Sequence, residues 1–196
     1  MLRYSNRRMP VEAKAIMFVD GENLVARFQD MLASGMRQSP DVVHEKDCFV
    51  WSPAVGTIAY ASTLRVNYYA TVVGDQVRID DVRARLGSMK TRTSLVREPV
   101  VWAKAIPRLY KKENKSQKSR LLDVEIVIDV VKALHEYDVD SILLLSGDGD
   151  FLSLVEEITR RSSKHLQLAA FSSGLSKDLP SAVDAFTLLD NMFFGG

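Results

Sequence analysis

The chain has 196 residues, 46% of them hydrophobic, and a formal net charge of +1; this suits one domain over 1–196 with a substantial core and excludes wholesale disorder. No apolar stretch reaches the roughly 18 residues that span a bilayer, and the basic N-terminus MLRYSNRRMPVEAK lacks the apolar centre of a secretory signal. A lone Cys48 has no partner for an internal disulfide or a zinc knuckle and fits a reducing compartment, so the expectation is a cytoplasmic protein with no membrane partner.

Taken in chain order, the apolar run Ala15–Val19 predicts a strand, and the amphipathic segment 24–36, ending near Gly35, predicts a helix. Residues 37–57, with Pro40, Pro53, Gly56 and mixed polarity, read as an insertion. The β-branched and aromatic run 66–73 predicts a second strand and the charged periodic stretch 76–89 a second helix. A third strand is expected over 94–105, giving way to a basic loop over 104–120. That segment carries Lys104, Arg108, Lys111, Lys112, Lys115, Lys118 and Arg120 against Glu113 alone, and leaves the remainder of the chain acidic. Such asymmetry suits a polyanion, although many lysine-rich loops are only solvated surface.

Residues 121–136 are rich in β-branched residues, but Glu125, Asp129, Lys132 and Glu136 recur at helical spacing, with Val124, Val127, Ile128, Val131 and Leu134 as the expected apolar face. A strand over 141–145, a helix over 151–161 and a last strand over 166–171 complete a repeated β-α pattern. The pattern predicts an α/β fold with a mainly parallel central sheet and helices on both faces.

In such sheets ligands bind beyond the carboxyl ends of the strands. Asp20 follows the first strand, with Asn23 three positions on, and Asp148 follows the LLL run in SGDGDF, with Asp150 two residues later. Asp150 also sits where a helix N-cap belongs. A second acid in the same crevice adds repulsion unless a cation offsets it, which points to a metal. Gly147 and Gly149 allow close approach of a ligand, or form an ordinary tight turn. Asp123 lies off the polar stripe of its helix, on the side of Ile126, Val130 and Ala133, toward packed protein, or it only favours the macrodipole at the helix start. Asp129 belongs to the solvent stripe and reads as structural, and Glu22 faces either the cluster or water. Oxygen ligands without His or Cys suit magnesium or manganese and disfavour zinc; such ions activate water for phosphodiester hydrolysis. His44, His135, His165 and Ser172–Ser173 lack catalytic spacing and read as surface or packing.

The stretches FVDGENL, LLDVEIVIDVV, LLLSGDGDFLSLVEEI and SSGLSKDLPSAVDAFTLL, in this order over nearly the whole chain, resemble the NYN domain, a PIN-like nuclease family that includes LabA-type bacterial proteins. The resemblance implies a PIN-like three-layer α/β/α fold and a divalent-metal-dependent ribonuclease. It implies an acidic pocket of Asp20, Asp123, Asp148 and Asp150, with Asp20, Asp148 and Asp150 as ligands of Mg2+ or Mn2+. Asn23, Ser146 and Ser176 would position substrate, and the basic segment would contact RNA, giving affinity without sequence specificity. One departure is KSRLLDV, where Leu122 stands in place of the usual valine. Tyr68, Tyr69 and Trp102 either stack bases or belong to the core. A non-catalytic RNA-binding or regulatory module is the alternative function, and a metal-dependent phosphatase a more distant one, since no acid pair or dedicated lysine of that chemistry is evident. The oligomeric state is left open, a homodimer among the options.

Overall fold

The structure, a computed structural model, describes residues 13–59, 61–92, 102–112 and 120–195. In chain order it comprises β1 (Lys14–Asp20), α1 (Gly21–Ala33), the short strands β2 (Arg37–Gln38), β3 (Val43–Glu45) and β4 (Phe49–Trp51), a 3-10 turn (Pro53–Ile58), β5 (Ser62–Val73), α2 (Gln76–Ser88), β6 (Lys90–Arg92) and β7 (Trp102–Lys112). The second half holds α3 (Arg120–Glu136), β8 (Ser141–Leu145), a 3-10 turn (Gly149–Phe151), α4 (Leu152–Arg161), β9 (His165–Ala170), α5 (Leu179–Ala182), β10 (Ala185–Leu188), α6 (Asp190–Phe193) and β11 (Phe194–Gly195).

Strands buried on both faces read as unbroken apolar runs, and the burial of every residue of β1 after Lys14 and of all of β8 explains AIMFV and SILLL. The seven-stranded sheet has the order β10-β9-β8-β1-β5-β7-β6. All its pairings are parallel except β6 with β7. The chain winds outward from β1 through β5 to β7, then returns to lay β8, β9 and β10 on the other side. The direction of winding therefore switches between β1 and β8.

Two cores cover the two sheet faces. Leu24, Val25, Phe28 and Met31 of α1 pack with Ile79, Val82 and Leu86 of α2 on one face. Leu122, Ile126, Val130 and Ala133 of α3 pack with Leu154, Val155 and Ile158 of α4 on the other. This is the three-layer α/β/α arrangement that the resemblance implied. Gly21, at the junction of β1 and α1, is required by close approach: a Cβ there would collide with the Tyr69 carbonyl and the Tyr68 ring. Gly35 ends α1 at φ 99°, in the region that glycine occupies at little cost.

Several expectations are corrected. The stretch 104–112 is strand β7, not loop, so its cations sit on a sheet; of the expected strand 94–105, residues 94–101 lie outside the described residues. The strand over 166–171 is not the last, since β10 adds in parallel to β9. The buried face of α3 is Leu122, Ile126, Val130 and Ala133, whereas Val124, Ile128 and Val131 are exposed. Both stripes recur at helical spacing, so periodicity alone could not choose between them. The 37–57 segment, expected only as an insertion, contributes to the core: Val42, Phe49, Val50, Trp51 and Val55 are buried, and β2 pairs with β11.

Tyr68 and Tyr69 are fully buried, which removes them as base-stacking platforms; Trp102 is about half exposed. Tyr68 instead ties the 37–57 segment to the sheet. Its hydroxyl donates to the Val50 carbonyl at 3.0 Å and accepts from the Val50 N–H at 3.1 Å. Tyr68→Phe strands both buried backbone groups and is expected to cost about 1–3 kcal/mol. Urea denaturation would show this as a lowered midpoint, and an unchanged midpoint would refute the anchoring role.

Candidate functional site

The winding switches between β1 and β8, and the carboxyl ends of two such strands are the place where open α/β sheets bind ligands. Asp20, the last residue of β1, is 2% exposed. One carboxylate oxygen caps α1 by accepting the Asn23 N–H at 3.1 Å, and the other accepts the Ser146 hydroxyl, just past β8, at 2.8 Å. Ser146 in turn accepts the Asp148 N–H at 3.1 Å. The Asn23 side-chain oxygen accepts the Gly147 N–H at 3.0 Å, closing a second bridge between the same two strand ends.

Asp148 accepts the Asp150 N–H at 3.0 Å and so caps the 3-10 turn that precedes α4. The capping role expected of Asp150 belongs to Asp148, and Asp150 is exposed. Ser176 reaches the same turn: its N–H donates to the Gly147 carbonyl at 3.0 Å, and its hydroxyl lies where a Cβ on Gly149 would come within 3.0 Å.

Burial pushes the Asp20 carboxyl up from 3.8 to about 7, opposed by the Asn23 N–H and the Ser146 hydroxyl and reinforced by the charges of Asp123 and Asp148. Asp123 and Asp148 are thus near enough for their charges to act on Asp20. Among the described residues, however, no three acids, histidines or cysteines stand as a ready-made metal cage. The donor set still suits a hard cation, because it is all oxygen and its repulsion is relieved by positive charge.

The basic residues are distributed unevenly. Strand alternation puts Lys104, Arg108 and Lys112 on the α3 side of β7 and Lys111 on the opposite side. Lys104 and Lys111 are exposed. Lys112 is turned inward, 12% exposed, and donates to Glu22 at 3.0 Å, while the Thr71 hydroxyl donates to the same carboxylate. Glu22 therefore faces protein, not water. Arg108 lies 3.9 Å from Asp129, which also accepts the Tyr69 hydroxyl at 2.7 Å; Asp129 is half-buried rather than on a solvent stripe. Lys115, Lys118 and the side chain of Arg120 lie outside the described residues.

With this geometry in place, residues 14–190 match the NYN domain. The chain belongs to the NYN domain family. Membership places it among PIN-like, nuclease-type domains. It is 34% identical over 71 residues to the low amplitude and bright protein LabA of Synechococcus elongatus, a match over 36% of this chain and 37% of that protein. It also resembles the crystal structure of a Vibrio parahaemolyticus protein of unknown function, at 19% identity and a TM-score of 0.63, covering 96% of this chain and 100% of the other. The second likeness bears on the fold alone.

A carboxyl whose folded pKa exceeds its unfolded one binds more protons when folded, so its stabilising contribution is complete below the unfolded value and is lost as pH rises through the folded one. For this NYN domain in chelator, stability is expected to fall between about pH 4 and pH 7 through Asp20. Asp20→Asn removes that slope and gains up to about 4 kcal/mol over the parent at pH 8, the equivalent of about three pKa units, and nothing near pH 4. Parallel pH profiles of urea midpoints for the two proteins would contradict the assignment.

Proposed function

We propose that the chain is a divalent-metal-dependent endoribonuclease that hydrolyses RNA phosphodiester bonds in the cytoplasm. The observation that carries the reading is a buried Asp20 held against Ser146 at the winding switch, near enough to Asp123 and Asp148 for their charges to act on it. Asp20, Asp148 and Asp150 would hold Mg2+ or Mn2+, and Asp123 would complete the acidic pocket. When bound, such an ion supplies Lewis-acid activation of water and charge stabilisation at the phosphoryl group.

The chain's own residues do the rest. Ser146 and the Asn23 N–H fix both oxygens of Asp20 in one orientation, so little reorganisation is needed when a charged ligand arrives. Asn23 and Ser176 stand at the Gly147 turn, where they would position substrate. Lys104, Arg108 and Lys111 on β7, with Lys112 close to Glu22, and Lys115, Lys118 and Arg120 beyond them, would contact phosphates without reading sequence. The lone Cys48 supports a reducing address. The alternative is a non-catalytic RNA-binding module that uses the same basic residues without turnover.

Labelled single-stranded RNA, incubated with the purified protein and manganese or magnesium, separates the two. The nuclease reading expects cleavage that chelator abolishes and that Asp148→Asn lowers by about 100-fold or more, the scale of losing one preorganised electrostatic group. Cutting that survives in both Asp148→Asn and Asp20→Asn would refute the pocket. Binding without cutting, in every metal, would establish the module. Independently of turnover, manganese at about 100 times its dissociation constant is expected to stabilise the protein by about 2.7 kcal/mol, with the gain largely lost in Asp20→Asn; equal shifts in both would place the ion elsewhere.

A further inference from the structure

On the α3 side of the sheet, a small cleft open to solvent lies between α3 and strands β5 and β7. Its polar wall is Arg65, Asn67, Arg108, Asp129, Lys132 and Tyr137. Three cations face one carboxylate, and that carboxylate is already engaged by the Tyr69 hydroxyl at 2.7 Å. Arg108 and Lys132 approach it only at 3.9 and 4.0 Å. The cleft therefore carries surplus positive charge with donors still to satisfy.

Two features show preparation for a ligand. Arg65 is held in place, its guanidinium stacked 5.2 Å from the centre of the Tyr137 ring and donating to the Tyr137 hydroxyl at 3.2 Å. Asn67 is 5% exposed, and its side-chain oxygen has no hydrogen-bond partner among the described residues. A buried polar group in a native fold ordinarily has one, and rotation of the amide presents either its oxygen or its NH2 to the cleft.

The cleft lies on the same sheet face as Asp20 but behind it, with Arg65 and Asn67 level with Ile16 and Phe18, four and two residues before the acid. Arg108 is in register with Tyr69, and Tyr69 with Asp20, so Arg108 stands two strands from the acid, about 10 Å at about 4.8 Å per strand. The apolar floor is Ile16 and Phe18 of β1, on the same face as Asp20. We propose that this cleft is a phosphoryl-binding subsite that holds a backbone phosphate of a single-stranded RNA away from the bond being cut. Arg65 and Arg108 supply guanidinium donors, Lys132 a point charge, and Asn67 a hydrogen bond. In naming RNA as the source of the phosphate, the proposal rests on the ribonuclease reading.

The test uses the full chain and the double variant Arg65→Gln/Lys132→Gln, with thermal melts confirming that both proteins fold. Binding of labelled single-stranded RNA is measured in chelator across a potassium chloride series, cleavage is measured with manganese, and inorganic phosphate is titrated while following the Asn67 side-chain amide by NMR. The expected result is RNA binding at low salt weakened about 10-fold or more, a log K against log salt slope reduced by about 0.7, the share of one phosphate on a single strand, and a raised KM with little change in kcat. Unchanged RNA affinity and slope, together with an Asn67 signal that phosphate does not move, would overturn the subsite while leaving the nuclease reading to its own test with Asp148→Asn. A variant-sensitive phosphate response without any effect on RNA would support a phosphoryl site but overturn the RNA backbone as its source. Variant-sensitive RNA binding by a wild type that never cuts would support the subsite and defeat the nuclease reading.

Discussion

The hydrogen bond from the Ser146 hydroxyl to the Asp20 carboxylate joins the two strands between which the chain reverses its winding. Both partners are buried, and a buried carboxylate is tolerated only where its oxygens are satisfied or its charge is suppressed. Here both happen: the Asn23 N–H and Ser146 satisfy the oxygens, and burial with Asp123 and Asp148 nearby moves the carboxyl toward the protonated form near neutral pH. The strand ends are thereby locked together by a group that gains most from an added positive charge. Fold and site are one arrangement at this point, because the residue that caps α1 is also the one that a cation would recruit.

Much of this was legible locally. Unbroken apolar runs mark β1 and β8 because parallel central strands are buried on both faces, and the acid that ends each run falls at the carboxyl edge by topology alone. What misled was choice among equivalent periodicities. On α3, Val124, Ile128 and Val131 repeat as regularly as Ile126, Val130 and Ala133, and only the docking of the helix on the sheet buries the second set. In β7, lysines and arginines look like a loop, yet alternation leaves Ala103 and Ala105 buried while Lys104 and Arg108 project from the other face. The 37–57 segment reads as irregular because its strands are only two or three residues long, although Tyr68 and β11 bind it into the core.

The acids at the strand ends could be placed from the sequence order of the elements, whereas the side chains that contact one another across the fold could not. Glu22 with Thr71 and Lys112, and Arg65 with Tyr137, are contacts between residues 49 to 90 positions apart, and no spacing rule reaches that far. Asp129 shows the same limit. It fits a polar stripe beside Lys132, yet the sheet places Tyr69 and Arg108 against it and makes it part of a cleft wall. The sheet thus carries acids at the strand ends of the switch and a cation-lined cleft beside α3.

The proposed ribonuclease reading depends on a hard divalent cation beside Asp20. Crystals soaked in manganese and measured at an energy where manganese scatters anomalously would locate the ion directly. The account predicts an anomalous peak within coordination distance of the Asp20 carboxylate, lost in crystals of Asp20→Asn. Saturating manganese that leaves no peak beside Asp20, or a peak that persists there in the variant, would contradict it.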